Sequence, residues 1–325
     1  MLDISVVVPL FEERESLPEL VDWLDRVRQE AGLRMEVMLI DDGSRDGSWE
    51  VIQELKTRYP IVYGIRFQRN YGKSAALHVG FQRARGEVVV TMDADLQDSP
   101  DEIPELRRMI VEEGYDLISG WKKRRHDPLM KTLPSKFFNW VTRKVSGIQL
   151  NDFNCGLKAY RNDVVKSIEV YGEMHRYIPY LAKTAGFNHI GEKVVHHRPR
   201  QYGRTKFGLE RFINGFLDLL SLSFILRYGR KPMHFFGTSG TLAFLVGLLL
   251  ALYLIGEKLY LISTGRPFRE VVDQPLFYLA LVAIVIGMQL FLAGFLAELI
   301  NRKSTDRNEY LVSMTTTEAN QPIDA

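Results

Sequence analysis

The sequence predicts an α/β protein in which a mostly parallel sheet carries interfacial amphipathic helices and is followed by two C-terminal transmembrane helices. Three observations predict this class. Over residues 1 to about 120, short apolar strand signals alternate with helical ones. Two segments, 232–256 and 274–297, contain no Lys, Arg, Asp or Glu and are each long enough to cross a bilayer. Between these regions, apolar residues recur at helical spacing among basic ones.

The elements follow in order. A strand over 4–10 runs into Pro9-Leu10-Phe11-Glu12. Ser16-Leu17-Pro18-Glu19 reads as a capping box. Leu17, Leu20, Val21, Leu24 and Val27 share one face of the helix it opens, and Gly32 stops that helix. Further strands are predicted at 35–40, 62–67, 88–92 and 116–119, with helices in the gaps, the pattern of a parallel sheet covered on both faces. No GxGxxG loop follows strand one, and Gly72-Lys73-Ser74 lacks the upstream glycine of a P-loop. Dinucleotide-dependent hydride transfer and P-loop ATP hydrolysis are therefore disfavoured.

Two segments have the spacing of helices lying in a membrane interface or packed on the sheet. One, over 135–145, carries Phe138, Val141 and Val145; the other, over 209–224, carries Leu209, Phe212, Ile213, Phe216, Leu220 and Phe224 on one side. Arg227, Arg230 and Lys231 precede the first span and Arg302, Lys303 and Arg307 follow the second, against Lys258, Arg266 and Arg269 in the connecting loop. That bias puts the sheet domain and tail in the cytoplasm, with a bacterial inner membrane as the expected location. The expected division is a catalytic domain over 1–205, a juxtamembrane amphipathic helix over 206–231, a hairpin over 232–300 and a disordered tail over 301–325. The sequence opens on a strand without a basic-then-apolar leader, so no secretory signal is expected. Cys155 is the one cysteine, which excludes an intrachain disulfide and reads as a packed small residue.

The chemistry concentrates in Val88 to Asp98, where an apolar strand runs into Asp93-Ala94-Asp95-Leu96-Gln97-Asp98. Extended backbone would line up Asp93, Asp95 and Gln97 on one edge. Oxygen donors of this kind suit Mg²⁺ or Mn²⁺, which take one or two carboxylates and complete their shells with substrate phosphates. Alone, Asp-x-Asp is a common solvated strand end. Asp41-Asp42 ends another predicted strand, however, and Glu12 follows the first, so three acidic ends would converge outside the carboxyl edge of one sheet. The net charge of +2 gives no footing for a nucleic-acid partner, but Lys122, Lys123, Arg124, Arg125, Lys131, Lys136, Arg143 and Lys144 face Asp127 alone over 122–144. Such a run reads as attraction to anionic lipid or to a phosphate.

With Val6-Val7-Val8-Pro9-Leu10-Phe11-Glu12-Glu13, Ile40-Asp41-Asp42-Gly43-Ser44, Arg69-Asn70-Tyr71-Gly72-Lys73, the Asp93 to Asp98 stretch and two C-terminal spans, the chain resembles the membrane-anchored family 2 glycosyltransferases of the polyisoprenyl-phosphate type. That group includes dolichol-phosphate mannose synthase and bacterial undecaprenyl-phosphate glucosyltransferases. The resemblance implies a GT-A nucleotide-sugar fold and inverting transfer of a hexose from a nucleotide diphosphate sugar to polyprenyl phosphate. It implies nucleoside contacts from Pro9, Glu12 and Asp41 or Asp42, with Lys73 and Ala94 in the same binding set. Asp93 would stand near ribose and metal, Asp95 with Gln97 would hold the metal, and Arg200 and Lys206 would close over the diphosphate; Asp93 and Asp95 are the catalytic pair. Trp121-Lys122 stands where many relatives carry Ser-Arg. Lys122, Arg124, Arg125, Lys131 and Ser135 are therefore alternatives for the acceptor phosphate. The donor is of UDP-glucose or GDP-mannose type, with UDP-glucose favoured, and a homotetramer is implied by analogy alone.

Two competing readings are a processive polysaccharide synthase and an inactive nucleotide-sugar-binding scaffold. The first is disfavoured because QxxRW and further spans are missing, the second because Asp93, Asp95 and Gln97 are intact. Asp152 could be read as a general base, but an Asx turn before Cys155-Gly156 is the better expectation. His78, His175, His196 and His197 are expected to pack and hydrogen-bond.

Overall fold

The first strand forms the middle of the sheet because it is apolar on both faces. β1 (Leu2–Leu10) is buried from Ile4 onward and β2 (Met35–Asp41) throughout, as in strands covered on both sides. The structure, a computed structural model, describes residues 2–123, 139–198, 224, 228 and 231–303. Around β1 and β2 stand α1 (Leu17–Glu30), α2 (Ser48–Arg58), β3 (Val62–Arg66), α3 (Lys73–Arg83), β4 (Gly86–Thr91), α4 (Ile103–Val111) and β5 (Leu117–Trp121). A helical stretch over 139–146, α5, is followed by β6 (Lys158–Arg161), α6 (Asn162–Lys166), α7 (Ile178–Thr184) and β7 (Ile190–Val194). The strand order is β3-β2-β1-β4-β6-β5-β7. Every pairing is parallel except those of β6 with β4 and β5.

The apolar stripe expected for α1 is its buried face, and Gly32, with φ +61°, ends it. The Gly32 amide bonds the Gln29 carbonyl and the Leu33 amide that of Arg28, a Schellman closure. The capping box does not form. Ser16 stands at the N-cap with φ −86° and ψ −24°, already helical, and its hydroxyl donates to the Glu13 carbonyl at 3.0 Å. A capping side chain needs an extended backbone at that position. β6 and β7 lie beyond the expected strands: at four and five residues, with Lys158 and Arg161 bounding β6, they are too short for periodicity to show.

α5 docks by a polar face. Asn139, Thr142 and Ser146 are buried while Trp140 is 51% exposed and Lys144 is exposed. The Asn139 amide donates to the Asn151 carbonyl at 2.9 Å, and Arg143 to that of Leu150 at 3.3 Å. The spacing of Val141 and Val145 therefore does not mark the buried face. Both are half-buried, because the neighbouring loop offers carbonyls rather than an apolar groove.

The described residues fall into two compact units, one within 1–220 and one within 221–325. The second holds α8 (Pro232–Ser263) and α9 (Pro275–Lys303), both long and apolar enough to cross a membrane. They meet through small residues. A Cβ on Gly240 would stand 2.6 Å from the Gly287 carbonyl oxygen, and one on Gly247 2.6 Å from that of Ala280, a close approach that only small side chains allow. Apart from Phe224 and Tyr228, the helix expected over 209–224, the boundary near 205 and the tail past 303 lie outside the described residues.

Candidate active site

Three strand ends emerge side by side. Leu10 is in register with Asp41, and Val7 with Thr91, so the loops after β1, β2 and β4 leave the same edge of the sheet. Pro9 marks where they part. The Leu10 carbonyl faces β2 and that of Val7 faces β4, so alternation turns the Pro9 nitrogen toward β4, past the last β1–β4 pair, where no ladder bond is lost.

The β2 end divides its two carboxylates. Asp42 is consumed by backbone: its oxygens accept the Tyr71 amide at 2.7 Å and the Gly72 amide at 2.9 Å, which ties the loop after β3 to the sheet. Burial raises its pKa despite those two bonds. Asp41 is fully buried; Oδ1 accepts the Ser44 amide at 2.8 Å, whereas Oδ2 lacks a hydrogen bond and lies 3.6 Å from the Arg66 guanidinium. The Ser44 hydroxyl accepts the Glu12 amide at 2.8 Å. Glu12 has φ +57° and Leu96 φ +60°, the two positive values outside glycine among the described residues. Backbone of this kind persists where surroundings over-determine it and clusters at ligand sites.

The alternation expected from Asp93 to Gln97 is replaced by a turn. β4 ends at Thr91, and residues 94–96 turn, with Leu96 left-handed. The Gln97 amide donates to Asp95 Oδ1 at 3.2 Å, which orients that carboxylate. Asp93 and Gln97 are partly exposed, while Ala94, Asp95 and Leu96 are buried. Turn geometry, not strand pleat, sets these side chains.

Asp93 is held ionised between cations. Lys73, the first residue of α3, forms an ion pair with its Oδ1. Burial opposes the charge on Asp93, but Lys73, then Lys122 and Lys158, outweigh it and bring the carboxyl down to about 2. Behind it lies Gly156, where a Cβ would stand 2.6 Å from Asp93 Oδ2. Lys122 is committed to buried Asp98 at 2.9 Å; burial works against its charge, and Asp98 more than restores it. Lys158 is buried with its ammonium on the Cys155 carbonyl, and burial lowers its pKa. Cys155 is packed as expected, its thiol pushed up to about 12 by burial and then by Asp98.

Arg124, Arg125, Lys131, Ser135, Arg200 and Lys206 lie outside the described residues. The chain leading to Arg200 is nevertheless stitched to the Asp93 loop. The Arg198 amide donates to the Gln97 carbonyl at 2.9 Å, Asp98 bridges His197, and the Arg198 guanidinium lies 4.0 Å over the Trp23 ring. No group of three or more His, Cys, Asp or Glu converges as a metal cage among the described residues. The Asp95 carboxylate, oriented by the Gln97 backbone amide, is an oxygen donor of the kind taken by a hard cation that uses few protein ligands and fills its shell from a diphosphate.

Sequence reasoning gave no role to Asp98, Gly156, Lys158 or the Ser74–His175 pair. Asp98 was visible as the third carboxylate of its motif; Lys158 lies in a four-residue strand and His175 reaches the site through Ser74, 101 positions away, so neither left a local signal. The Asn154 amide donates to Asp152 Oδ1 at 3.1 Å, which closes the expected Asx turn.

Residues 5–168 match the family described as glycosyl transferase family 2. The chain is 35% identical over 304 residues to a dodecaprenyl-phosphate galacturonate synthase of Rhizobium johnstonii, covering 93% of this chain and 88% of that protein. It is 36% identical over 305 residues to an undecaprenyl-phosphate 4-deoxy-4-formamido-L-arabinose transferase of Shewanella sediminis, with the same 93% and 88% coverage. Its fold is similar to mannosyl-3-phosphoglycerate synthase of Rubrobacter xylanophilus, with TM-score 0.53, 16% identity and coverage of 69% of this chain and 74% of that one. It is also similar to glucosyl-3-phosphoglycerate synthase of Mycobacterium tuberculosis, solved with Mn²⁺, UDP-glucose and phosphoglyceric acid, with TM-score 0.50, 20% identity and coverage of 68% and 80%.

Proposed function

The chain belongs to glycosyl transferase family 2, and from that premise we propose that it moves a sugar from a nucleotide diphosphate donor to the phosphate of a polyprenyl lipid. The observation that carries this reading is the meeting of Asp41, Asp93 and Asp95 at the carboxyl edge of adjacent parallel strands, in a chain with two helices apolar enough to cross a membrane. The two relatives act, by their names, on dodecaprenyl and undecaprenyl phosphate, which supports the acceptor class.

Pro9, Glu12 and Asp41 take the nucleoside, with Asp42 acting through the loop it ties down. Asp93, Ala94 and Lys73 stand by the ribose and diphosphate, and Arg200 and Lys206 close over the diphosphate. Mg²⁺ or Mn²⁺ held by Asp95 and Gln97 would supply positive charge against the leaving diphosphate. The acceptor phosphate has a second pKa of about 6, so its oxygen is anionic at neutral pH and no general base is required. Its oxygen bonds to the anomeric carbon as the carbon–oxygen bond to the diphosphate breaks, and the electron pair leaves with the nucleotide. This single displacement inverts the centre, so an α-linked donor yields a β-linked lipid. Lys122, neutralised by Asp98, contributes field rather than a free cation; the basic run through Lys131 and Ser135 receives the lipid phosphate.

The domain over 1–205 is assigned to the cytoplasmic face of a bacterial inner membrane, 206–231 to the juxtamembrane helix, 232–300 to the hairpin and 301–325 to a cytoplasmic tail. Lys258, near the end of α8, pairs with Glu270 of the connecting loop at 2.7 Å. Exposed Trp140 and Lys144 suit a bilayer surface.

The test uses purified full-length protein and a panel of UDP-glucose, UDP-galacturonate and GDP-mannose. Nucleotide release is expected to require both polyprenyl phosphate and a divalent cation, and the donor consumed identifies the sugar. Release that ignores the lipid overturns the acceptor, release in excess chelator overturns the metal, and an α-linked product overturns single displacement.

A further inference from the structure

The first turn of α3 places Lys73 on Asp93, and no side chain within the helix caps that turn. Its N-cap is Gly72, without a side-chain cap. The hydroxyl of the next residue, Ser74, is buried and reaches 101 positions along the chain to the 3₁₀ turn Met174–Arg176. There the His175 amide donates to Ser74 Oγ at 3.1 Å, and His175 Nδ1 lies 3.1 Å from the same oxygen. A hydroxyl has one hydrogen to give. With one of its two lone pairs taken by the amide, that hydrogen is available to Nδ1, which closes a reciprocal pair when the imidazole proton sits on Nε2.

The surroundings favour that protonation state. Burial first, then Lys73 from α3, Arg176 from the same turn and Lys158 from β6, hold the His175 pKa well below its ordinary value; Asp93, on the loop after β4, is the group that opposes them. An imidazolium here would present N–H to the Ser74 hydroxyl, reverse the pair and add a cation beside Lys73.

We propose that His175 is a positioning residue which, through Ser74, fixes the first turn of α3 and so holds the Lys73 ammonium on Asp93 in the donor site. The proposal rests on the donor-site reading of Asp93 and Lys73. It predicts that damage to the pair appears in donor handling, not in acceptor handling.

The experiment measures kcat and KM for donor and lipid separately, with pH profiles, on full-length Ser74→Ala, His175→Ala, His175→Asn and the Ser74→Ala/His175→Ala double variant. Ser74→Ala and His175→Ala are expected to raise the donor KM about tenfold with lipid KM unchanged, and the double variant to be no worse than Ser74→Ala, since that change already removes both bonds. His175→Asn, whose amide oxygen can accept the hydroxyl hydrogen, is expected to stay within about threefold of wild type. Wild-type kcat/KM for the donor is expected to hold down to pH values below 6.5, whereas a side chain that only fills space gives neither rescue nor a donor-specific effect. A normal donor KM in Ser74→Ala, additive losses in the double variant, or Asn as damaging as Ala overturns the assignment. Asp93→Asn separates the levels: if it is inactive while Ser74→Ala is normal, His175 alone is misassigned, and if it turns over at the wild-type rate, the donor-site reading and the His175 role fall together.

Discussion

The two ends of β1 each bury charge, and they treat it in opposite ways. At the amino end Glu36, in register with Ser5, accepts the Ser5 hydroxyl at 2.6 Å, the Arg85 amide at 3.0 Å and the Arg85 guanidinium at 2.9 Å, while Ser5 Oγ also accepts the Gly86 amide at 2.7 Å. Neither residue leaves a buried polar atom without a hydrogen bond. At the carboxyl end Asp41 Oδ2 lacks one, Asp98 is met by the Lys122 ammonium at 2.9 Å, and Glu12 and Leu96 adopt left-handed backbone. A saturated network stabilises a sheet; an unsaturated one, held in strained loops, retains capacity for a ligand.

The largest effect that can break this contrast is loss of turnover without loss of fold. Asp95→Ala is expected to lower kcat about a thousandfold with a melting temperature near that of wild type, measured by lipid-linked product and thermal unfolding in the same detergent. If it melts as far below wild type as Glu36→Ala, the two ends do not differ in kind. Glu36→Ala is the mirror image. It strips partners from Ser5 and Arg85 and is expected to lose about 2–3 kcal/mol in denaturant unfolding, less than for a fully buried pair because the Arg85 side chain is 60% exposed. Its kcat per folded molecule is expected to match wild type.

Gly156→Ala tests the carboxyl end at finer scale. The added methyl would press on the Asp93 carboxylate from 2.6 Å. A displacement approaching 1 Å of a reacting group is worth up to about a hundredfold in rate, so turnover is expected to fall tenfold to a hundredfold (about) while the melting temperature moves little. Wild-type turnover would show that Asp93 can retreat without consequence and is not held in place.

The carboxyl end was legible because its chemistry is local. Asp41, Asp93 and Asp95 each follow an apolar strand, and the register of β1 with β2 and β4 brings those ends together. The stripe on α1 was legible for the same reason, since five apolar residues repeat at helical spacing. What escaped depends on distant partners or on backbone that composition does not announce. Leu96 takes positive φ without a glycine to signal it, so strand alternation was projected one turn too far. Lys158 sits in a four-residue strand, and Ser74 meets His175 across 101 positions. The helix over 139–146 inverted the usual pattern because its partner is a row of carbonyls, which selects Asn139 and Arg143 over valines.

The smallest effect concerns the sign of pH dependence at the two ends. Burial raises the pKa of Glu36, but hydrogen bonds from Arg85 and Ser5 reverse this and leave it lowered from 4.5. The stability it contributes is therefore complete above pH 4.5 and lost as pH falls through the lowered folded value. Asp42 is the reverse: burial raises it above 3.8 despite the Tyr71 and Gly72 amides, so its contribution is complete below pH 3.8 and lost as pH rises through the raised value. Glu36→Gln keeps an oxygen for the Ser5 hydroxyl and removes the titration. The stability gap between wild type and Glu36→Gln is expected to narrow as pH falls below 4.5. The gap to Asp42→Asn is expected to narrow as pH rises through the same region, in urea unfolding of the full chain between about pH 3 and 7. Slopes of the same sign would mean that the carboxyl end is as well satisfied as the amino end, and would remove the physical distinction on which the assignment of Asp41 to a ligand stands.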